Sequence, residues 1–131
     1  MYKFTSYDNW MNEAIKHLKP KSEEEIRSYL ENLSPEEKLI EGVENNMPWL
    51  VKIAIDEGVN VNMKFGVCSC ALMNASIFGH TKIIKLLLDA GANPNIIFND
   101  PYCGYKTSLE AAIRENHHEI VKLLKQYGAK K

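Results

Sequence analysis

The segment Asn45–Asn62 returns 33 residues later as Phe78–Asn95. Lys52 falls on Lys85, Gly58 on Gly91, and Asn60-x-Asn62 on Asn93-x-Asn95. A third copy, Asn116–Ala129, follows the second at an offset of 37, so four residues are inserted between Asn95 and Thr107. A fixed period of this length marks a stacked array, in which each unit buries its apolar face against its neighbours.

Each copy reads as two helices. In the second, Cys70 to Phe78 is a short helix whose small residues Ala71, Ala75 and Ser76 permit close helix approach. Gly79 breaks it. Thr81 to Ala90 is a longer helix, with Ile83, Ile84, Leu86, Leu87 and Leu88 forming a wide apolar face. Gly91 stops that helix, since glycine adopts positive φ without steric cost. Gly58 and Gly128 hold the same place in their copies. Residues 62–69 and 95–106 carry glycine, asparagine and proline, and read as projecting turns.

This pattern resembles the ankyrin repeat: a period of 33, two antiparallel helices, then a β-turn finger. The family's T-P-L-H-x-A-A-x-x-G-H stretch matches Cys70–His80 and again Thr107–His117. Two departures stand out. The histidine of T-P-L-H is Met73 in one copy and Glu110 in the other. The first copy is weaker, opening on Glu37-Lys38-Leu39 with Gly42-Val43 in the small-residue slots. The resemblance covers roughly residues 35–131. It implies an all-α ankyrin-repeat solenoid with β-turn fingers, divided 35–62, 63–95 and 96–131.

Residues 1–34 do not fit the period. Trp10, Met11, Ala14, Ile15 and Leu18 recur at helical spacing, and Lys19-Pro20 ends that helix. Ser22–Glu25 is a capping box that opens a second helix with Ile26, Tyr29, Leu30 and Leu33 on one face. Ser34-Pro35-Glu36-Glu37 is another capping box, with proline at the first helical position. The segment is expected to be a helical N-terminal cap covering one end of the stack. At the other end Lys125 holds the place of Ile55 and Leu88, as a solvent-facing last repeat would allow.

The chain has 131 residues, 45% hydrophobic and 25% charged, with a net charge of −1. Such a chain can bury a core, and it has no overall positive field to attract nucleic acid. Residues 1–45 hold ten acids and six bases, and residues 46–131 seven acids and ten bases. The two parts of the particle are therefore expected to differ in surface charge. No apolar run reaches the roughly 18–20 residues of a membrane span. The first residues lack the apolar stretch of a secretory signal, so the expected compartment is the cytoplasm. Three cysteines in a chain of this kind are expected to be reduced thiols. On that reading serine at Cys103 should cost under about 1 kcal/mol.

Catalytic and metal chemistry finds little support. Cys68, Cys70 and Cys103 lie near the fingers, and His80, His117 and His118 are the histidines of the repeats. Cys68-x-Cys70 is tighter than the usual zinc pairing. His80 and His117 fall in the G-H slot, where the resemblance implies a structural role. His118 and Glu119 are helix neighbours that point to different sides. No nucleophile–base–orienter set and no Gly-rich phosphate loop is present. The expected protein is thus no enzyme and needs no cofactor or metal. The alternative is a small enzyme or metal-dependent regulator using the cysteine and histidine cluster. The run Glu23–Glu25 complements a helix dipole, or offers an acidic docking patch.

What remains is surface. The resemblance implies a concave binding side, built from finger tips and the exposed face of each first helix. By register it holds Glu44 and Asn45; Gly66, Val67, Ser69, Ile77 and Phe78; then Tyr102, Cys103, Lys106, Arg114 and Glu115. Ile77 and Phe78 are adjacent large apolar side chains at positions such repeats expose. Tyr102 and Tyr105 are aromatic anchors in the inserted finger. The insertion, Ile96–Pro101, is apolar for a loop, and it could fold over Ile77 and Phe78 to cover them. The expected function is stoichiometric binding to another protein, as an inhibitor, an adaptor or a bacterial toxin-neutralising immunity protein. The chain alone is expected to be a monomer that binds neither nucleic acid nor membrane.

Overall fold

A computed structural model of the chain describes residues 23–130. The helices there are α1 (Glu23–Glu31), α2 (Pro35–Glu44), α3 (Pro48–Asp56), α4 (Ala71–Phe78), α5 (Thr81–Asp89), α6 (Ser108–Arg114) and α7 (His118–Gln126). Helices α2, α4 and α6 pack side by side as an inner layer, and α3, α5 and α7 as an outer layer. Each inner helix also packs on the outer helix that follows it. Among the described residues no strand forms; one antiparallel bridge, Lys64 to Cys70, closes the finger before α4.

The helix boundaries follow local chemistry. Ser34 Oγ accepts from the Glu37 amide at 3.1 Å, and the Glu37 carboxylate accepts from the Ser34 amide at 2.9 Å. That reciprocal capping, with Pro35 next, is the expected start of α2. Thr107 Oγ1 caps α6 by accepting from the Glu110 amide at 3.1 Å. Between inner and outer helices the chain takes positive φ at Asn46, Gly79 and Asn116, which occupy one register position in the three copies. Asparagine is the residue that best tolerates this conformation after glycine.

The core repeats with the same period. Leu39, Leu72 and Leu109 form the inner row, and Leu50, Ile83 and Ile120 the outer row. Gly42, Ala75 and Ala112 share the slot where inner and outer helices approach most closely. A Cβ on Gly42 would lie 2.8 Å from Val51 Cγ2 and 2.9 Å from the Val51 backbone nitrogen.

The divergent first copy has its own solution. Lys38, 2% exposed, stands where later copies have Ala71 and Ser108. Its Nζ donates to both Glu57 carboxylate oxygens, at 2.8 and 2.9 Å. A buried charge requires such a partner.

Helix α1 lies against the first outer helix. Ile26 and Leu30 are fully buried in a cluster with Met47, Trp49, Leu50 and Ile53, and Tyr29 packs at its edge. Of the expected face, Ile26, Tyr29 and Leu30 pack inward, whereas Leu33 follows the end of the helix and is half-buried. The expected helix of Trp10, Met11, Ala14, Ile15 and Leu18, and the Ser22 cap, lie outside the described residues. On the third repeat Lys125 is exposed, and Ile113 is 46% exposed where its counterpart Ser76 is buried.

The repeated asparagines join the copies. Asn62 Oδ1 accepts from the Asn93 amide at 2.7 Å, and Asn95 Oδ1 from the Lys130 amide at 2.8 Å. Asn95 also donates from Nδ2 to the Gly128 carbonyl at 3.0 Å. The motif that disclosed the register is thus a set of bonds between neighbouring repeats.

Candidate functional site: the finger and inner-helix face

The inserted finger buries its base and exposes its tip. Phe98 is 3% exposed and belongs to the main core cluster, and its amide donates to the Lys106 carbonyl at 2.8 Å. Asp100-Pro101-Tyr102-Cys103 forms a turn, with the Cys103 amide donating to the Asp100 carbonyl at 3.0 Å. Asp100 Oδ1 also accepts from the Tyr102 amide at 2.9 Å. Proline and aspartate favour such a turn by fixed φ and local side-chain bonding. Tyr102 is carried at the tip, 94% exposed.

The three cysteines do not behave as expected. Cys68 and Cys103 form a disulfide, with their Cα atoms 5.2 Å apart. The reading of all three as reduced thiols is corrected for this pair. The reason is topological: their separation of 35 lies between the two repeat offsets. Equivalent places on successive fingers are stacked neighbours, so the sequence did contain the signal. Serine at Cys103 therefore removes a crosslink and is no longer a mild change. Cys70 remains free and buried, and burial raises its thiol above the usual range. Among the described residues no group of three or more His, Cys, Asp or Glu side chains could hold a metal ion. Cys68 and Cys103, two members of the cluster in the alternative reading, are bonded to each other.

The expected apolar pair splits. Phe78 is 61% exposed, so the inserted finger does not cover it. Its ring lies 6.0 Å from that of His80, nearly parallel. Ile77 is half-buried and packs on the core margin, which corrects its reading as an exposed partner of Phe78. Its carbonyl accepts from His117 Nε2 at 3.1 Å. The same imidazole fills the space beside Gly79, where a Cβ would approach His117 Cε1 to 2.7 Å. Gly79 also has φ +78°, so alanine there meets strain and a clash together. Gly79→Ala is expected to lower stability by about 1–3 kcal/mol, read from the urea midpoint.

The remaining site residues fall into two groups. Tyr105, Arg114 and Glu115 are knit together: the Tyr105 hydroxyl donates to Glu115, and the Arg114 guanidinium lies 5.2 Å from the Tyr105 ring centre. The bond to Glu115 holds the phenolic proton on, raising the Tyr105 pKa, with desolvation adding to it. Lys106 is exposed, its amide bonded to Glu110 at 2.7 Å. Glu44 and Asn45 are exposed at the end of α2, where Asn45 Nδ2 donates to the Glu41 carbonyl at 3.0 Å. Val67, beside Cys68, is 69% exposed.

His80 adds a pH dependence. Desolvation, then the neighbouring His117, lowers its pKa. The unfolded chain then binds the proton first as pH falls below about 6.5, so folded-state stability declines below that pH. A Tm that falls between pH 7.5 and 5.5, with His80→Gln flattening the fall, is the expected result.

The family model described as Ankyrin repeats (3 copies) matches residues 39–131. The chain is also similar to the serine/threonine-protein kinase TNNI3K of Mus musculus and of Rattus norvegicus. Each is 37% identical over 84 residues, which is 60% of this chain and 10% of the kinase. The chain thus spans about a tenth of those relatives. Layered helix pairs, a shared core register and the family match converge on one conclusion: this chain belongs to the ankyrin-repeat family.

Proposed function

We propose that the protein acts without catalysis, by stoichiometric binding of a partner protein on the face made by its fingers and inner helices. Ankyrin repeats generally serve protein–protein interaction, which supports the coarse reading. The observation that carries the finer one is the exposure of large apolar side chains. Val67, Phe78 and Tyr102 all sit on fingers or at the end of an inner helix, and all are more than half exposed. Solvent-facing side chains of this size favour an interface, and aromatics are its usual anchors. Lys106 and Glu44 on the same face would tune the encounter rate and specificity. Tyr105, Arg114 and Glu115 offer a preorganised polar rim. Asn45 belongs to that rim beside Glu44.

In this reading the chain is a monomer when free, with its cap over residues 1–34 and repeats over 35–62, 63–95 and 96–131. It resides in the cytoplasm, works as an inhibitor, adaptor or immunity protein, and contacts neither nucleic acid nor membrane. No helix among the described residues is long and apolar enough to cross a membrane.

A photo-crosslinking amino acid at Tyr102 tests the reading. It is expected to capture one protein from cells of the source organism, and the same probe at Lys122 on the outer layer is expected to capture none. Equal capture from both positions would count against the proposed face.

A further inference from the structure

We propose that the Cys68–Cys103 disulfide is a redox-operated clamp: closed, it holds two neighbouring finger tips together, and reduced, it lets them part while the repeats stay folded. The consequence for recognition rests on the function proposed above; the clamp itself does not.

Four observations carry it. The bond joins the fingers preceding α4 and α6, and so spans two repeats. Each finger closes on itself, through the Phe65 amide to the Ser69 carbonyl at 2.8 Å and the Phe98 amide to the Lys106 carbonyl at 2.8 Å. Among the described residues no hydrogen bond runs between residues 63–69 and 96–106. Both fingers pack on the main core cluster, through Met63 and Phe65 in one and Ile96, Phe98, Cys103 and Tyr105 in the other, and Lys64 lies 6.0 Å from the Phe98 ring centre. The disulfide is the covalent tie between them. Finally, Val67 and Tyr102 each flank one of the two cysteines, so the bond brings the backbones carrying these exposed side chains together.

Cys68 and Cys103 are half-buried, so a small thiol can reach them, whereas Cys70 is buried and free. In the opening step an external thiolate attacks one sulfur, forming a mixed disulfide and releasing the other cysteine as a thiolate that takes up a proton. A second external thiolate then attacks the external sulfur of the mixed disulfide, forming the external disulfide and releasing the remaining cysteine as a thiolate that takes up a proton. Two electrons and two protons move: the external pair is oxidised to its disulfide, and Cys68 and Cys103 become thiols. A reducing cytoplasm would keep the tips apart, and an external disulfide would close them by the reverse exchange, itself reduced to two thiols.

The test uses the full chain purified without reductant. Alkylation and mass measurement are expected to find one disulfide and one thiol that reacts only on unfolding. Dithiothreitol in native buffer is then expected to leave the helical circular dichroism unchanged. The separation between spin-labelled unnatural amino acids placed at Val67 and Tyr102 is expected to lengthen and broaden, while amide exchange in α4 to α7 stays fixed. The double variant Cys68→Ala, Cys103→Ala should reproduce the reduced behaviour in either buffer. Three free thiols, an unchanged label separation, or unfolding of the helices on reduction would each overturn the clamp. Crosslinking from Tyr102 in both redox states separates the two ideas. Capture that is lost on reduction supports the linkage, and equal capture in both states refutes it. Absence of capture in either state, with finger release still seen, sinks the proposed function and leaves the clamp standing.

Discussion

A chain carrying Ile26→Ala and Leu30→Ala is expected to be the most damaged of the variants considered. Both side chains are fully buried, and they close the cluster of Met47, Trp49, Leu50 and Ile53. Each truncation removes transfer free energy and leaves a cavity, costing about 2–5 kcal/mol apiece. Native domains hold only about 5–15 kcal/mol in total. The double variant should therefore be largely unfolded or aggregated at 37 °C. The damage should begin at the first repeat, since each repeat is stabilised through its neighbours. A thermal melt and a sedimentation profile check this. A variant as soluble and heat-stable as the parent would show that α1 is dispensable to the stack.

The crosslink is expected to have the second largest effect on stability. The Cys68–Cys103 loop spans a separation of 35 residues. Its closure restricts the unfolded chain, and the entropy model for such a loop gives about 3–4 kcal/mol. Cys103→Ser should therefore lower the urea midpoint clearly, by an amount matched by Cys68→Ser and by reduction of the parent. Combining both serines should cost no more than either alone, because each already removes the same bond. A loss below about 1 kcal/mol would return Cys103 to the status of an incidental thiol.

The two expectations differ in how they could be read from sequence. Ile26 and Leu30 declare themselves by helical spacing behind a capping box, and their burial follows. The register of Lys52, Lys85 and Lys122 and the helix stops locate the layers. The repeat shows Asn62 and Asn95 but not the inter-repeat bonds they make, since hydrogen-bond partners depend on how copies stack. Cys68 and Cys103 illustrate the same limit. Counting cysteines and reasoning from compartment points to thiols, whereas their spacing near one repeat period puts them on adjacent fingers. Ile77 shows the finer uncertainty. Register puts it on the binding face, but its side chain leans onto the core and its carbonyl engages His117. Lys38 is harder still. A lysine in a small-residue slot looks like a surface position, and the approach of Glu57 becomes visible only in the fold.

The exposure of the candidate site was legible in outline. Phe78, Val67 and Tyr102 were expected on the binding face and are exposed. Tyr105, Arg114 and Glu115 were expected there as separate contacts, but side-chain bonding makes them one unit. Such clustering depends on loop conformation, which the insertion of four residues leaves open at the level of sequence.

The measurement that bears most directly on the central claim is the affinity of the captured partner for the parent and for the Phe78→Ala, Tyr102→Ala double variant, taken alongside both melting temperatures. Exposed aromatic anchors at an interface contribute to binding and little to folding, so the Kd is expected to rise about 10-fold or more with the melting temperature nearly unchanged. An unchanged Kd, with or without a fall in melting temperature, would contradict the account and move the search to the acidic helix around Glu23, Glu24 and Glu25.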